Sequence, residues 1–261
     1  MRSIELFLVI LGSPALLLGQ TMMFDDVLSL PMAPADYRIS YGDGPFQFGD
    51  LRLPHGEGPH PVAVVIHGGC WRAQYDVNHS SAMCEALTEA GLATWSIEYR
   101  RIGNAGGGWP GTFDDVASAF DYLDVLSEAY PLDLRRVVAV GHSAGGHLAL
   151  WAVARRVSKV DGAGHGLQGV VALAAVTDLR AAHAEKVCGD AVAELMGGTP
   201  ERVPTRYERG SPFGPWSFGI PRVLIHGAKD DIVPLEMSRA YVRAAKAAGD
   251  EARLIVDEAA G

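Results

Sequence analysis

The 261 residues hold only three cysteines, at positions 70, 84 and 188. They form no C-x-x-C pair and no Cys/His spacing of the zinc-binding kind, so no metal site is indicated. Two readings of the thiols stay open: a Cys70–Cys84 bridge made in an oxidising compartment, or free buried cysteines. Positive charge is also in short supply. Lys and Arg number 22 against 31 Asp and Glu, a net charge of −9, and no basic run or aromatic–basic stripe interrupts the deficit. That balance speaks against nucleic acid or an anionic membrane surface as a partner. Beyond the N-terminus no apolar run is long enough to span a bilayer. Histidine thins out as well: nine are present, and none follows residue 226. What remains, 48% hydrophobic and 20% charged, is the composition of a globular chain able to bury a substantial core.

The chain opens "MRSIELFLVILGSPALLLGQT". Residues 1–19 read as a secretory signal, with Arg2 as the positive region, Leu6–Leu11 as the apolar core and Leu17-Leu18-Gly19 as the cleavage site. Gly12-Ser13-Pro14 breaks the stretch too early for a membrane span. The expectation is a secreted or periplasmic protein. The alternative, a cytoplasmic one whose N-terminal helix packs on the domain, draws on Glu5 inside the apolar core.

Residues 20–261 read as a single domain. The runs "YRISYG" and "FQFGDLRLP" alternate as edge hairpin strands do. Thereafter, strands alternate with helices. Buried strands are predicted at 62–67, 92–99, 136–141, 169–176, 222–227 and 252–257. Helices are predicted at 80–91, 112–130, 144–156 and 235–248. Thr112 is placed as the cap of the 112–130 helix, with Asp114 and Asp115 in its first turn. This order implies an α/β fold with a mostly parallel sheet covered on both faces. The irregular stretch 177–219 is placed as a cap or insertion near the strand ends, where ligands bind in such sheets.

Three motifs carry chemistry. In "VVAVGHSAGGHLALW", Gly141-His142-Ser143-Ala144-Gly145 forms G-x-S-x-G between a strand and a helix. A serine at such a turn adopts strained backbone angles and lifts its hydroxyl above the sheet, and the Ala144 amide can donate to an oxyanion. In "VAVVIHGGCW", glycines after a strand let a second amide, from Gly69 or Cys70, turn inward. His67 reads as a structural hydrogen-bonding residue of that loop, and Trp71 as a pocket wall that meets substrate or as a packing residue. In "VLIHGAKDDIVP", a strand ends at His226-Gly227 and is followed by Asp230 or Asp231, where an acid that orients a histidine belongs.

In this order and context, the motifs resemble the α/β-hydrolase family over about residues 45–261, and the His-Gly-Gly-x-Trp loop is similar to that of its carboxylesterase and kynurenine formamidase-like branches. The resemblance implies Ser143 as nucleophile, Gly69, Cys70 and Ala144 as oxyanion donors, and Asp230, ahead of Asp231, as triad acid. It implies small esters or N-formyl aryl amides as substrates, with no cofactor and no metal. A prolyl-oligopeptidase-type peptidase and a non-catalytic binding protein are the alternatives. In the family, the triad histidine follows the last strand, and here "RLIVDEAAG" ends at Gly261 with no histidine after it. His142 is expected to point away from the Ser143 hydroxyl, and His147 to contact surrounding loops. The expectation is therefore a fold truncated at its C-terminal end, one residue short of the general base.

Overall fold

The computed structural model describes residues 24–30, 33–159, 166–213 and 219–261. The segment read as a signal, 1–19, lies outside them. Eight strands form one sheet: β1 Tyr37–Ser40, β2 Phe48–Arg52, β3 His60–Ile66, β4 Ala93–Ile97, β5 Leu132–His142, β6 Leu167–Leu173, β7 Arg222–Gly227 and β8 Ala252–Asp257. Their order is β1-β2-β4-β3-β5-β6-β7-β8. The hairpin β1–β2 joins antiparallel to β4, and every pairing from β4 to β8 is parallel. The helices are α1 Phe24–Leu28, α2 Ser81–Glu89, α3 Gly111–Asp121, α4 Leu123–Ala129, α5 Ala144–Lys159, α6 Leu179–Ala184, α7 Ala191–Met196, α8 Pro204–Gly210 and α9 Leu235–Ala247. This is the mostly parallel α/β sheet that the strand–helix alternation implies, and it fits the fold implied by the α/β-hydrolase resemblance.

Strand β3 shows why its residues form a central strand. Val62, Val64 and Ile66 point into the larger core with Phe113, Leu148 and Val153, while Ala63 and Val65 meet Cys84, Leu87 and Leu92 on the opposite face. A continuous apolar run is what two covered faces require. At the far edge, β8 pairs only with β7, and its Leu254, Ile255 and Val256 are half-buried.

The helix predicted over 112–130 is two helices, broken at Tyr122. Thr112 is not its cap, because the helix starts at Gly111, with Pro110 as the N-cap. The Thr112 hydroxyl instead accepts from the Gly108 amide at 3.0 Å and donates to the Arg100 carbonyl. Asp115 is fully buried and forms an ion pair with Arg100 at 2.6 Å, a tertiary contact that helix periodicity does not reveal.

The region 177–219 supplies the short helices α6, α7 and α8. It is fastened over the sheet's C-terminal end by buried Leu179, Val192, Leu195, Met196 and Tyr207. Polar ties add to these: the Trp151 indole donates to the Arg209 carbonyl and the Trp109 amide to that of Leu195.

Candidate active site

Ser143 sits alone between β5 and α5, and its φ of +52° is left-handed. For a residue with a Cβ, that conformation costs about 1–3 kcal/mol, so the surroundings must hold it. They do: the Ser143 amide donates to the Leu173 carbonyl at 2.8 Å, and its carbonyl accepts from the His147 amide at 3.0 Å. The flanking glycines are steric requirements. A Cβ on Gly141 would strike the Gly145 carbonyl, and one on Gly145 would strike the carbonyls of Ile66 and His67. The serine turn and the loop after β3 are thus packed backbone to backbone.

That loop contains three successive left-handed residues, Gly69 (+105°), Cys70 (+52°) and Trp71 (+56°). Gly69 leaves no room for a side chain because the Tyr75 ring fills the space, and a Cβ on Gly68 would come within 2.8 Å of the His142 carbonyl. Among the described residues, the amides of Gly69, Cys70 and Ala144 donate to no protein acceptor. Three free donors therefore belong to two segments in direct contact, beside a serine whose hydroxyl makes no hydrogen bond among the described residues.

His67 has the structural role expected of it. It is fully buried and stacked on Tyr99, with Nδ1 2.8 Å from the Gly68 carbonyl and Nε2 3.0 Å from Glu98. Glu98 is the anchor that the sequence reading missed. It also accepts from the Tyr99 and Val77 amides and forms an ion pair with Arg101. Burial alone would raise its carboxyl, but the bond and charge of His67, with Arg101 and the Tyr99 amide, hold it below the usual range. The available signal was a glutamate at the end of an apolar strand, in "TWSIEY".

Trp71 is wholly enclosed, edge-on to His147 at 5.4 Å. Of its two expected roles, pocket wall or packing residue, this enclosure fits the packing one. Of the two open readings of the thiols, the Cys70–Cys84 bridge is not formed, and the free buried thiol holds for Cys84 alone. Cys70 is bonded to Cys188, just after α6, and Cys84 is a free thiol on the buried face of α2. Arg72 makes a second tie to the same region, donating to both Glu194 oxygens at 3.0 and 3.2 Å.

Asp230 lies in the loop after β7. One carboxylate oxygen accepts from the amides of Ile232 and Val233 at 3.0 and 2.9 Å, and the other is 3.3 Å from His226 Nε2. Partial burial would raise its pKa, but the hydrogen bonds from His226, Val233 and Ile232 bring it below the ordinary value. Asp231 is exposed. His226 is itself fixed, with Nδ1 2.8 Å from the Ser238 hydroxyl and Nε2 2.8 Å from the Val233 carbonyl. His142 turns to His79, at 3.1 Å between ring nitrogens, and His147 bonds the Gly210 carbonyl at 2.8 Å. Neither ring bonds the Ser143 hydroxyl. The segment after β8 folds back onto the Asp230 loop: the Lys229 amide donates to the Ala260 carbonyl at 2.8 Å, and Gly261 lies against Lys229.

A family model described as BD-FAE matches residues 50–244, from β2 through most of α9. The chain belongs to the BD-FAE family. Its similarity to other proteins extends beyond the span of that BD-FAE match. Esterase LipC of Mycobacterium tuberculosis is 26% identical over 80% of this chain and 55% of its own length. A probable isoprenylcysteine alpha-carbonyl methylesterase of Oryza sativa is 26% identical over 84% of this chain and 56% of its own. The BD-FAE chain spans about half the length of these two curated relatives. Among solved structures, a bifunctional GH43-CE protein of Bacteroides eggerthii superposes with a TM-score of 0.73, at 24% identity over 85% of this chain and 34% of that one. Esterase 2 of Thermogutta terrifontis gives 0.67, at 21% identity over 88% and 84%. These two likenesses establish the shared fold.

Proposed function

We propose that this chain carries the catalytic fold of a serine hydrolase for small carboxylic esters. The observation that supports it most is the left-handed Ser143, in contact with a loop whose Gly69 and Cys70 amides, like that of Ala144, are free to donate. The esterases among its relatives favour esters over amides.

In this reading the Ser143 hydroxyl attacks the ester carbonyl carbon while a histidine takes its proton. The carbonyl oxygen gains the negative charge and is met by the amides of Gly69 or Cys70 and Ala144, at the N-terminus of α5. Collapse of the tetrahedral species expels the alcohol, which leaves with the proton. Water repeats the sequence on the acyl-enzyme and releases the acid. Asp230, kept ionised by two amides and His226, orients the histidine. The Cys70–Cys188 bond supports export to an oxidising compartment.

The test is labelling with a fluorophosphonate, alongside turnover of 4-nitrophenyl acetate. Both are measured on the 261-residue chain, on a chain extended beyond Gly261, and on Ser143→Ala. Labelling of the extended chain that is lost in Ser143→Ala is the expected result. Absence of both labelling and turnover in either chain would overturn the hydrolase reading and favour a binding protein.

A further inference from the structure

On the face of the sheet covered by α2, the apolar centre gives way to charge at the hairpin edge. Strand register sets this directly: Val65 pairs with Ser96, Ser96 with Asp50 and Asp50 with Arg38, while Ala63 pairs with Thr94 and Thr94 with Arg52. Partners across a ladder share a face. The row that begins with buried valine and alanine under α2 therefore ends in two arginines and an aspartate.

The charges do not balance. Arg38 donates Nε and Nη2 to the two Asp50 oxygens at 2.7 and 2.8 Å, which takes up the only carboxylate in the group. Arg52 is only 6% exposed and has no carboxylate partner among the described residues. Its Nη2 makes one long contact, 3.4 Å, to the Ala33 carbonyl, and Nε and Nη1 make no hydrogen bond. A guanidinium does not give up its proton near neutral pH, and an enclosed, uncompensated charge is strongly unfavourable.

Arg52 forms part of the wall of a cavity of about 480 Å³. Arg38 and Asp50 complete its charged side, Asn78 and Ser81 contribute an amide and a hydroxyl, and residues 33–35, Ala-Pro-Ala, are its apolar side. We propose that this cavity binds a small organic monocarboxylate, with Arg52 as the residue that recognises the carboxylate. The group's net charge of +1 matches a monoanion better than a doubly charged phosphate. The volume lies in the range of small-molecule sites, and the Ala-Pro-Ala wall suits a hydrocarbon or aromatic body. The planar guanidinium, whose Nη2 is held by only one long contact, is the group suited to a carboxylate. The wall includes neither Ser143, the Gly69, Cys70 and Ala144 amides nor Asp230, so the inference stands apart from the hydrolase reading.

Isothermal titration calorimetry of the 261-residue chain at pH 7 with benzoate, acetate and inorganic phosphate tests it. Arg52→Met, Arg52→Lys, Ala35→Trp and Ser143→Ala are titrated in parallel after circular dichroism shows that each is folded. Benzoate is expected to bind at one site, weakened about tenfold or more in Arg52→Met and less in Arg52→Lys. It should also weaken in Ala35→Trp, which narrows the cavity, and stay unchanged in Ser143→Ala. Three results would overturn the proposal: no carboxylate binding to the wild type, equal binding in Arg52→Met, or loss of binding in Ser143→Ala. Phosphate binding more tightly than benzoate would overturn the monocarboxylate assignment. Should Arg52→Met not fold, Ala35→Trp decides, and undiminished benzoate binding to it sinks the proposal.

Discussion

Cys70 and Cys188 are covalently joined across a sequence separation of 118 residues, and the bond ties the loop after β3 to the segment between α6 and α7. Both residues hold left-handed backbone angles, +52° and +58°. The bond closes a long loop in the unfolded chain and so reduces the entropy that unfolding gains. Reduction, or Cys188→Ser, is expected to lower stability by about 2–5 kcal/mol, read as a drop in denaturation midpoint. Thiol titration gives an independent check. The native protein should react with no fast thiol, since Cys84 is buried and burial pushes its pKa up to about 11. The denatured, unreduced protein should react with one. Two reactive thiols under native conditions would contradict the bridge.

Gly145 is where the serine turn meets the carbonyls of Ile66 and His67. Those are backbone atoms of a central strand and its loop, so a methyl group cannot be accommodated by turning a side chain. Gly145→Ala is expected to cost about 3 kcal/mol through overpacking, measured by urea denaturation. Because the two segments must part, it should also slow fluorophosphonate labelling of Ser143. A substitution with wild-type stability would mean that the contact is looser than the structure has it.

These contacts mark how far the sequence could be read. The continuous apolar run of β3, the strand at Arg222–Gly227 and the strand at Ala252–Asp257 were legible because burial on two faces or at an edge imposes a residue pattern. The serine turn was legible because its glycines answer to a local steric demand. Partners distant in sequence were not. Cys70 has two cysteines to choose from, and spacing alone does not say that the region after α6 folds over the loop. Asp115 reads as a residue of a helix's first turn until Arg100, in a different segment, is seen to pair with it. Trp71 reads equally well as a substrate wall or as core, and only its complete enclosure separates the two. Arg52 lies in a run that reads as an alternating edge strand, where a charged residue normally faces water, but β2 is flanked by β1 and β4 and nothing local signals the burial.

Asp230 and Asp231 are neighbours with different environments, and substitution should separate them. Asp230 accepts two backbone amides, so Asp230→Ala leaves those donors without a partner and is expected to cost about 1–2 kcal/mol. Asp231→Ala, on an exposed side chain, should stay within about 0.5 kcal/mol of the parent. In a chain extended beyond Gly261, Asp230→Ala should also lower the labelling rate of Ser143 about a hundredfold or more, with Asp231→Ala near the parent rate. The reverse order in labelling would move the triad acid to Asp231.

His147 makes the acid stability of the fold testable. Burial drives its pKa down from 6.5 to about 4, only partly opposed by the bond to the Gly210 carbonyl. In the unfolded chain the ring takes up a proton near its ordinary pKa, so between about pH 6.5 and 4 the unfolded state binds more protons than the native one. Stability contributed by the neutral ring is therefore complete above pH 6.5 and declines as pH falls through that window. Below about pH 4 both states are protonated and the decline stops. At about 1.4 kcal/mol per pH unit, the loss from this one group is about 3 kcal/mol. His147→Gln keeps a donor for the Gly210 carbonyl and removes the titration. Its unfolding free energy, followed by urea titration from pH 7 to pH 4, should fall by about 3 kcal/mol less than that of the parent. Parallel curves for the two proteins would show that the ring titrates alike in the native and unfolded states, and that the bond to Gly210 cancels the cost of burial.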